Sequence, residues 1–407
     1  MVSDRRHAKD DETGERFQRR GSLRPLSILI LFVLVLVLTQ IPVASAGHGA
    51  AEATQLTQGH GVLLAVGGVI TLGGVLTLKR TDRVSPTNAL YGAFIGLAVT
   101  ALGVIIFSAT SPEPTYAASS MPFPRSWYVL MALSVGSLIM VLSFIVGWLR
   151  WPTRPRYTFF GILMGLWIAY PYLIPGSASD THPLGYAIVF GTPVFVGYII
   201  WKDAGNVLST VLRDTVARRF GIGVGAIVAL YFISVTGYLS FVPEPGVYNR
   251  NEQFIGILHD GYQLVNWPLF FIYLPDVPLV PIFLLAISPG LLVVTGMLSA
   301  LVGLNAAVIA RQWRVEEQAG KAQSTAGPAG LVGCSTCGCC GPLVAKVAIL
   351  AAGPSIAAPL YWVFVDTASP LSALFIVASI VLFVGSLIYS VEAASRPTQT
   401  NSLVPAD

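Results

Sequence analysis

Apolar residues in this chain do not alternate with polar ones. They run continuously in stretches of about 20, the length an α-helix needs to cross about 30 Å of hydrocarbon. Continuous runs predict membrane-spanning helices rather than the alternating strands of a barrel. Nine spans are expected, at 60–78, 88–109, 127–149, 157–175, 184–201, 221–242, 282–310, 342–364 and 371–390. The predicted fold class is an all-α, polytopic integral membrane helix bundle that follows an N-terminal signal peptide.

Several stretches depart from that simple pattern. Residues 1–24 are polar and hold seven of the 24 Lys and Arg, including Arg19-Arg20; an apolar core follows from Ser27 to Leu38, and then the small-residue motif Ala44-Ser45-Ala46. This reads as a secretory signal peptide over 1–46, with an uncleaved signal anchor as the alternative. A polytopic domain over 47–390 and a cytoplasmic tail over 391–407 complete the expected organisation. The apolar run Leu279–Ala310 is too long for one untilted helix at about 1.5 Å per residue. Pro281 and Pro289-Gly290 are expected to bend or interrupt it as one kinked or partly re-entrant span, because a split into two spans at Pro289 would carry Arg311 and Arg314 to the wrong side. Residues 203–220 place Val207, Leu208, Val211, Leu212 and Val216 on one helical stripe, which suits an inner amphipathic helix or a continuation of the preceding span. Residues 243–278, with Tyr262, Trp267 and Tyr273, suit an interfacial helix or outer cap. Gly67-Gly68, Gly73-Gly74 and the Gly92–Gly96 motif allow close helix approach in the first two spans.

Composition sharpens the class and excludes others. The 407 residues are 54% hydrophobic and only 11% charged, far too apolar for a soluble protein of this length, and no nucleic-acid partner is expected. The lipid bilayer is the expected environment. Lys and Arg set the orientation: one set of loops receives Lys79, Arg80, Arg83, Arg150, Arg154, Arg156, Lys202, Arg213, Arg218, Arg219, Arg311, Arg314, Lys321 and Arg396, and the other only Arg125 and Arg250. The positive-inside rule then predicts a plasma-membrane protein with its mature N-terminus outside and its C-terminus in the cytoplasm. Span interiors almost free of ionisable residues argue against proton pumps and ion-coupled carriers, which use buried carboxylates. Asn305, Tyr170, Tyr172, Tyr231 and Tyr238 are read as helix–helix hydrogen-bonding groups.

The candidate chemistry lies in the cysteines. All four of them, Cys334, Cys337, Cys339 and Cys340, fall within seven residues that end in Gly341-Pro342. Proline suits the first position of a helix, so the thiols would stand at the positive end of the next span's dipole, which favours the thiolate. Their crowding disfavours a tetrahedral zinc cage, whose thiolates come from separated knuckles, and the spacing misses the iron–sulfur pattern. Low-coordinate binding of a soft ion, Cu(I) first, fits the pattern. Thiol–disulfide exchange through Cys334 and Cys337, with a partner supplying the second thiol pair, and lipid attachment remain open. Cys339-Cys340-Gly341-Pro342 resembles the vicinal-cysteine element of small mercuric-ion transport membrane proteins. The resemblance ends with that motif, and neither fold nor transport is carried over from it.

His48, His60, His182 and His259 all fall on the predicted outer side and are candidate outer ligands for copper or zinc, or for a haem, with Asp260 and Met121 as further candidates. The alternative is four unrelated, solvated imidazoles. The functional expectation is therefore a membrane protein that handles a soft or transition metal, alone or by loading a metal-carrying partner protein. A membrane thiol oxidoreductase and a non-catalytic subunit of a larger membrane complex are the alternatives, and no enzymatic activity is fixed.

Overall fold

The computed structural model describes residues 58–81, 83–110, 123–174, 182–241, 253–258, 268–277, 280–318, 359–360, 363 and 369–395. It is mostly helical: α1 (Gln58–Arg80), α2 (Pro86–Thr110), α3 (Ser126–Arg150), α4 (Pro155–Leu173), α5 (Pro183–Arg213), α6 (Thr215–Val235), α7 (Pro289–Gln318) and α8 (Pro370–Ser395). Seven of these, all but α4, are long and apolar enough to cross a membrane, so the chain is a multi-pass membrane protein. Leu130, Leu149 and Val194 stand in the open on their helix surfaces. Such faces would be a liability in water and suit lipid. The expected spans at 60–78, 88–109, 127–149, 157–175, 184–201 and 371–390 each fall on a helix. The span expected at 342–364 lies outside the described residues, apart from 359, 360 and 363.

Helix starts follow a common local rule. Prolines open α2, α4, α5, α7 and α8, where the missing N–H is one that no helix partner would have used. The preceding residue often supplies a cap. Ser288 Oγ accepts from Leu291 N–H at 3.2 Å ahead of α7, and Asp214 Oδ1 accepts from Val216 N–H at 3.0 Å and Ala217 N–H at 3.3 Å ahead of α6.

That Asp214 cap also settles the 203–220 segment. Asp214 is extended, with φ −72° and ψ 112°, and separates α5 from α6. Residues 203–213 therefore continue the preceding span, and the separate amphipathic helix at 203–220 does not form. Its expected stripe is divided between two helices.

The largest departure from an all-α fold is a four-stranded antiparallel sheet. It is built from β1 (Leu239–Ser240), β2 (Phe254–Leu258), β3 (Leu269–Val277) and β4 (Val280–Ile287), in the order β1-β4-β3-β2. Val277 pairs with Val280, so β3 and β4 form a hairpin. Phe271, Tyr273, Leu284 and Ala286 make a small core on one face, with Tyr238, Phe254 and Leu269 against it. Two expectations are corrected here. The interfacial-helix reading of residues 243–278 gives way to strands, because they carry β2 and β3. The span expected at 282–310 is a strand as far as Ile287 and then an unbroken helix from Pro289. The excess length of that apolar run is a strand, the run is interrupted at Ser288-Pro289, and α7 continues as one helix to Gln318. Pro268, Pro275, Pro278 and Pro281 deny this stretch the N–H groups of a helix ladder, while its aromatic and branched residues suit strands.

The chain divides into two compact units. In the first, α1 and α2 pack as a hairpin, and Lys79 Nζ lies 4.0 Å from the centre of the Trp313 ring. Gly68 is required at the α1–α2 crossing: a Cβ there would stand 2.5 Å from Thr100 N. Gly92 and Gly96 also meet neighbours from α1, whereas Gly67, Gly73 and Gly74 face open space.

The second unit holds α3–α6, the sheet, most of α7, and α8. Its α4 is the most enclosed short helix, with Phe160, Met164, Trp167, Ile168 and Tyr170 buried. α3 and α8 pack beside α4, and α8 also meets α5. Asn305 of α7 donates from Nδ2 to its own helix at Leu301 O, 2.8 Å, and across to Phe383 O of α8, 3.2 Å. It is the helix–helix hydrogen bond expected of it.

Candidate functional site

The polar groups of the second unit concentrate where α4 begins, against Asp203 in the second half of α5 and the last turn of α8. Arg156, in the first turn of α4, donates from Nε to Asp203 Oδ2 of α5 at 2.8 Å and pairs through Nη2 with Oδ1. Tyr157 Oη donates to the same Asp203 Oδ2 at 2.9 Å. Asp203 is thus gripped by a two-pronged guanidinium and a phenol, and its side chain is 6% exposed against 19% for Arg156. Bidentate geometry of this kind is the strong form of a charge-assisted hydrogen bond.

A second pair lies on the outer side of the first. Arg154, which precedes α4, donates from Nη1 to Glu392 Oε1 of α8 at 3.0 Å and to Tyr157 Oη at 3.3 Å. Its side chain is 39% exposed and that of Glu392 43%. The Glu392 carboxylate, and then Tyr157, raise the Arg154 guanidinium further above its usual range, so it stays charged at any accessible pH. Trp151 stands edge-on to Tyr157, with ring centres 5.5 Å apart. Five side chains from α4, α5 and α8 are tied together in this way, which fixes how the three helices meet.

Next to this network opens an apolar slot of about 690 Å3 between α3, α4 and α8. Leu142 and Val146 of α3, Phe160 and Met164 of α4, and Val381 and Ile388 of α8 line it, and Arg154, Tyr157 and Glu392 close one end. Its size falls within the about 300–1,000 Å3 typical of ligand sites.

The residues singled out from sequence fare differently. Cys334, Cys337, Cys339, Cys340, His48 and His259, with Asp260 and Met121, lie outside the described residues. His60 sits half-buried in the first turn of α1, in the first unit. His182 belongs to the second unit and caps α5: its Nδ1 accepts from Leu184 N–H at 3.1 Å. In the neutral ring that bond puts the proton on Nε2. A metal at either nitrogen would therefore compete with the cap. Among the described residues no three His, Cys, Asp or Glu side chains converge as metal ligands.

The ion-pair network was not expected. Arg154 and Arg156 had served only to set orientation, Asp203 only as the start of a surface segment, and Glu392 had no role. A signal was present all the same: Asp203 and Glu392 are acidic residues at the ends of apolar runs on the side otherwise marked by Lys and Arg. Three buried polar atoms have no partner among the described residues, Trp167 Nε1, Ser234 Oγ and Ser299 Oγ. No protein-family model, curated protein or solved structure matches the chain.

Proposed function

We propose that this multi-pass membrane protein handles a soft or transition metal ion, copper first, through Cys334, Cys337, Cys339 and Cys340. One observation carries the reading: every cysteine of a 407-residue chain falls within seven residues directly ahead of Gly341-Pro342. Soft thiolates at low coordination number select Cu(I). The helix-opening role of proline at α2, α4, α5, α7 and α8 supports Pro342 as the start of a span, with the thiols at its positive end. The positive-inside rule assigns that end to the cytoplasm and the mature N-terminus to the outside. His48, His60, His182 and His259 are the outer ligands of this reading, and His182 the weakest of them, because its Nδ1 already caps a helix. The protein then passes the metal across the bilayer or to a partner protein.

The test is anaerobic Cu(I) titration of the purified, full-length protein against a chromophoric chelator. About one Cu(I) per chain is expected for a single low-coordinate thiolate site. Replacing all four cysteines by serine should abolish it, and unchanged copper binding by that variant would refute the proposal. The C-x-x-C of Cys334 and Cys337 favours thiol–disulfide exchange as the second reading. It predicts that Cys337→Ser traps a mixed disulfide with a partner at Cys334.

A further inference from the structure

The four-stranded sheet buries only one of its faces. Strand alternation sends Phe271 and Tyr273 into the small core, and the residues between them to the opposite face. The register lines these up in rows: Ile255 beside Ile272 and Ile272 beside Leu285, then Ile257 beside Phe270 and Phe270 beside Ile287. Both rows are apolar throughout, and Ile255, Ile257 and Phe270 stand exposed. An antiparallel sheet with one open face ordinarily turns polar side chains outward. A contiguous apolar patch in their place marks a contact with membrane or protein.

The chain connections favour the membrane. β1 follows α6 after only Thr236, Gly237 and Tyr238, and β4 reaches α7 through Ser288 alone. Both α6 and α7 are long and apolar enough to span a bilayer. Leu239 pairs with Leu285, each four residues from its helix, so α6 ends and α7 begins at the same membrane surface. β4 has eight residues, and at about 3.3 Å each its whole length lies within roughly 26 Å of chain from that surface. Gln253 and Asp276 come at the hairpin end, the end of β4 farthest from α7.

The depth follows from the sheet's edges. It is open, with β1 and β2 outermost, and open sheet edges do not occur within hydrocarbon. The level that remains is the boundary of headgroups and acyl chains, where interfacial helices bury their apolar faces by about 5–10 Å.

We propose that the apolar face centred on Ile255, Ile257 and Phe270 lies on the lipid surface of the leaflet where α6 ends and α7 begins. The upper part of the acyl chains covers it. This contact is independent of the metal reading and needs no cysteine.

The experiment places the full-length protein, one chain per nanodisc, in phosphatidylcholine that carries a photoactivatable diazirine at either the top or the terminal methyl of one acyl chain. Adducts are mapped by mass spectrometry. The top-of-chain probe should label Ile255, Ile257 and Phe270, and the terminal probe should label them far less. Ile255→Asp/Ile257→Asp should abolish labelling of the sheet, while adducts on the exposed Leu130 and Leu149 of α3 persist. The comparison of the two probes needs no variant and stands even if the double change prevents folding. A sheet left unlabelled by both probes, equal labelling by the two, or labelling untouched by the double change in a folded protein would overturn the proposal. Labelling that is present with one chain per disc and lost when two chains share a disc would overturn it as well, and would assign the face to a second copy.

Discussion

Removing the charge of Asp203 tests whether the buried ion pair holds the end of the bundle together. Asp203→Asn keeps the shape of the side chain and takes away the anion that Arg156 and Tyr157 share. The remaining amide turns at most one oxygen toward three donors that the carboxylate satisfied, at 2.8 Å from Arg156 Nε, at 2.9 Å from Tyr157 Oη, and at Arg156 Nη2. Arg156 is then a charge with 19% exposure and no counter-ion, and breaking a buried pair in this way costs about 3–5 kcal/mol. The residual exposure of Arg156 places the expectation at the lower end, about 3 kcal/mol. Equilibrium unfolding of the purified protein by SDS in mixed micelles reads this directly. The Arg156→Gln/Asp203→Asn double variant should cost less than the sum of the two single changes, because neither leaves an orphaned charge once both are gone. Glu392→Gln is the internal comparison: its pair with Arg154 has a similar length but sides 39% and 43% exposed, and it should cost less than about 1 kcal/mol. If Asp203→Asn costs no more than Glu392→Gln, or if the double variant is strictly additive, burial is not what gives the Arg156 pair its strength.

Two further outcomes follow from packing. Gly221→Leu should be strongly destabilising: a Cβ at Gly221 would stand 2.6 Å from Gly303 O of α7, and overpacking of this sort costs about 1–3 kcal/mol or more. Loss of monodisperse protein at a lower temperature in a heating and size-exclusion series checks it, and an unchanged profile would show that α6 and α7 do not meet there. Asn305→Leu, although buried, should cost only about 0.6 kcal/mol and no more than about 1.7, since interhelical hydrogen bonds in membranes are individually weak. The same SDS titration measures it, and a loss above about 3 kcal/mol would mean that Asn305 organises more than the α7–α8 contact.

Helices and strands were not equally legible. The spans that fall on α1 to α5 and α8 could be placed from run length alone; the prolines that open α2, α4, α5 and α8 were not used to place their N-termini. The apolar run Leu279–Ala310 was misjudged because run length does not distinguish a buried strand from a helix; the prolines at 268, 275, 278 and 281 were the cue. Segment 203–220 was ambiguous because its stripe continues smoothly through Asp214. Only the cap made by that side chain shows where one helix stops and the next begins. Of the functional candidates, the cysteines stand out by composition, whereas the Arg154, Arg156, Tyr157, Asp203 and Glu392 network does not.

The sequence by itself determined that this is a multi-pass helical membrane protein and where most of its long apolar helices lie. These properties are local: transfer of a side chain to hydrocarbon acts within a few residues. Tertiary structure decided the antiparallel sheet, the ion-pair network and the slot. β3 and β4 become strands because each supplies the other's hydrogen-bond partners, and Arg154 finds Glu392 across 238 residues of chain. Whether a charged residue is a solvated loop group or a buried partner depends on what the fold brings opposite it, and no periodicity in the sequence encodes that meeting.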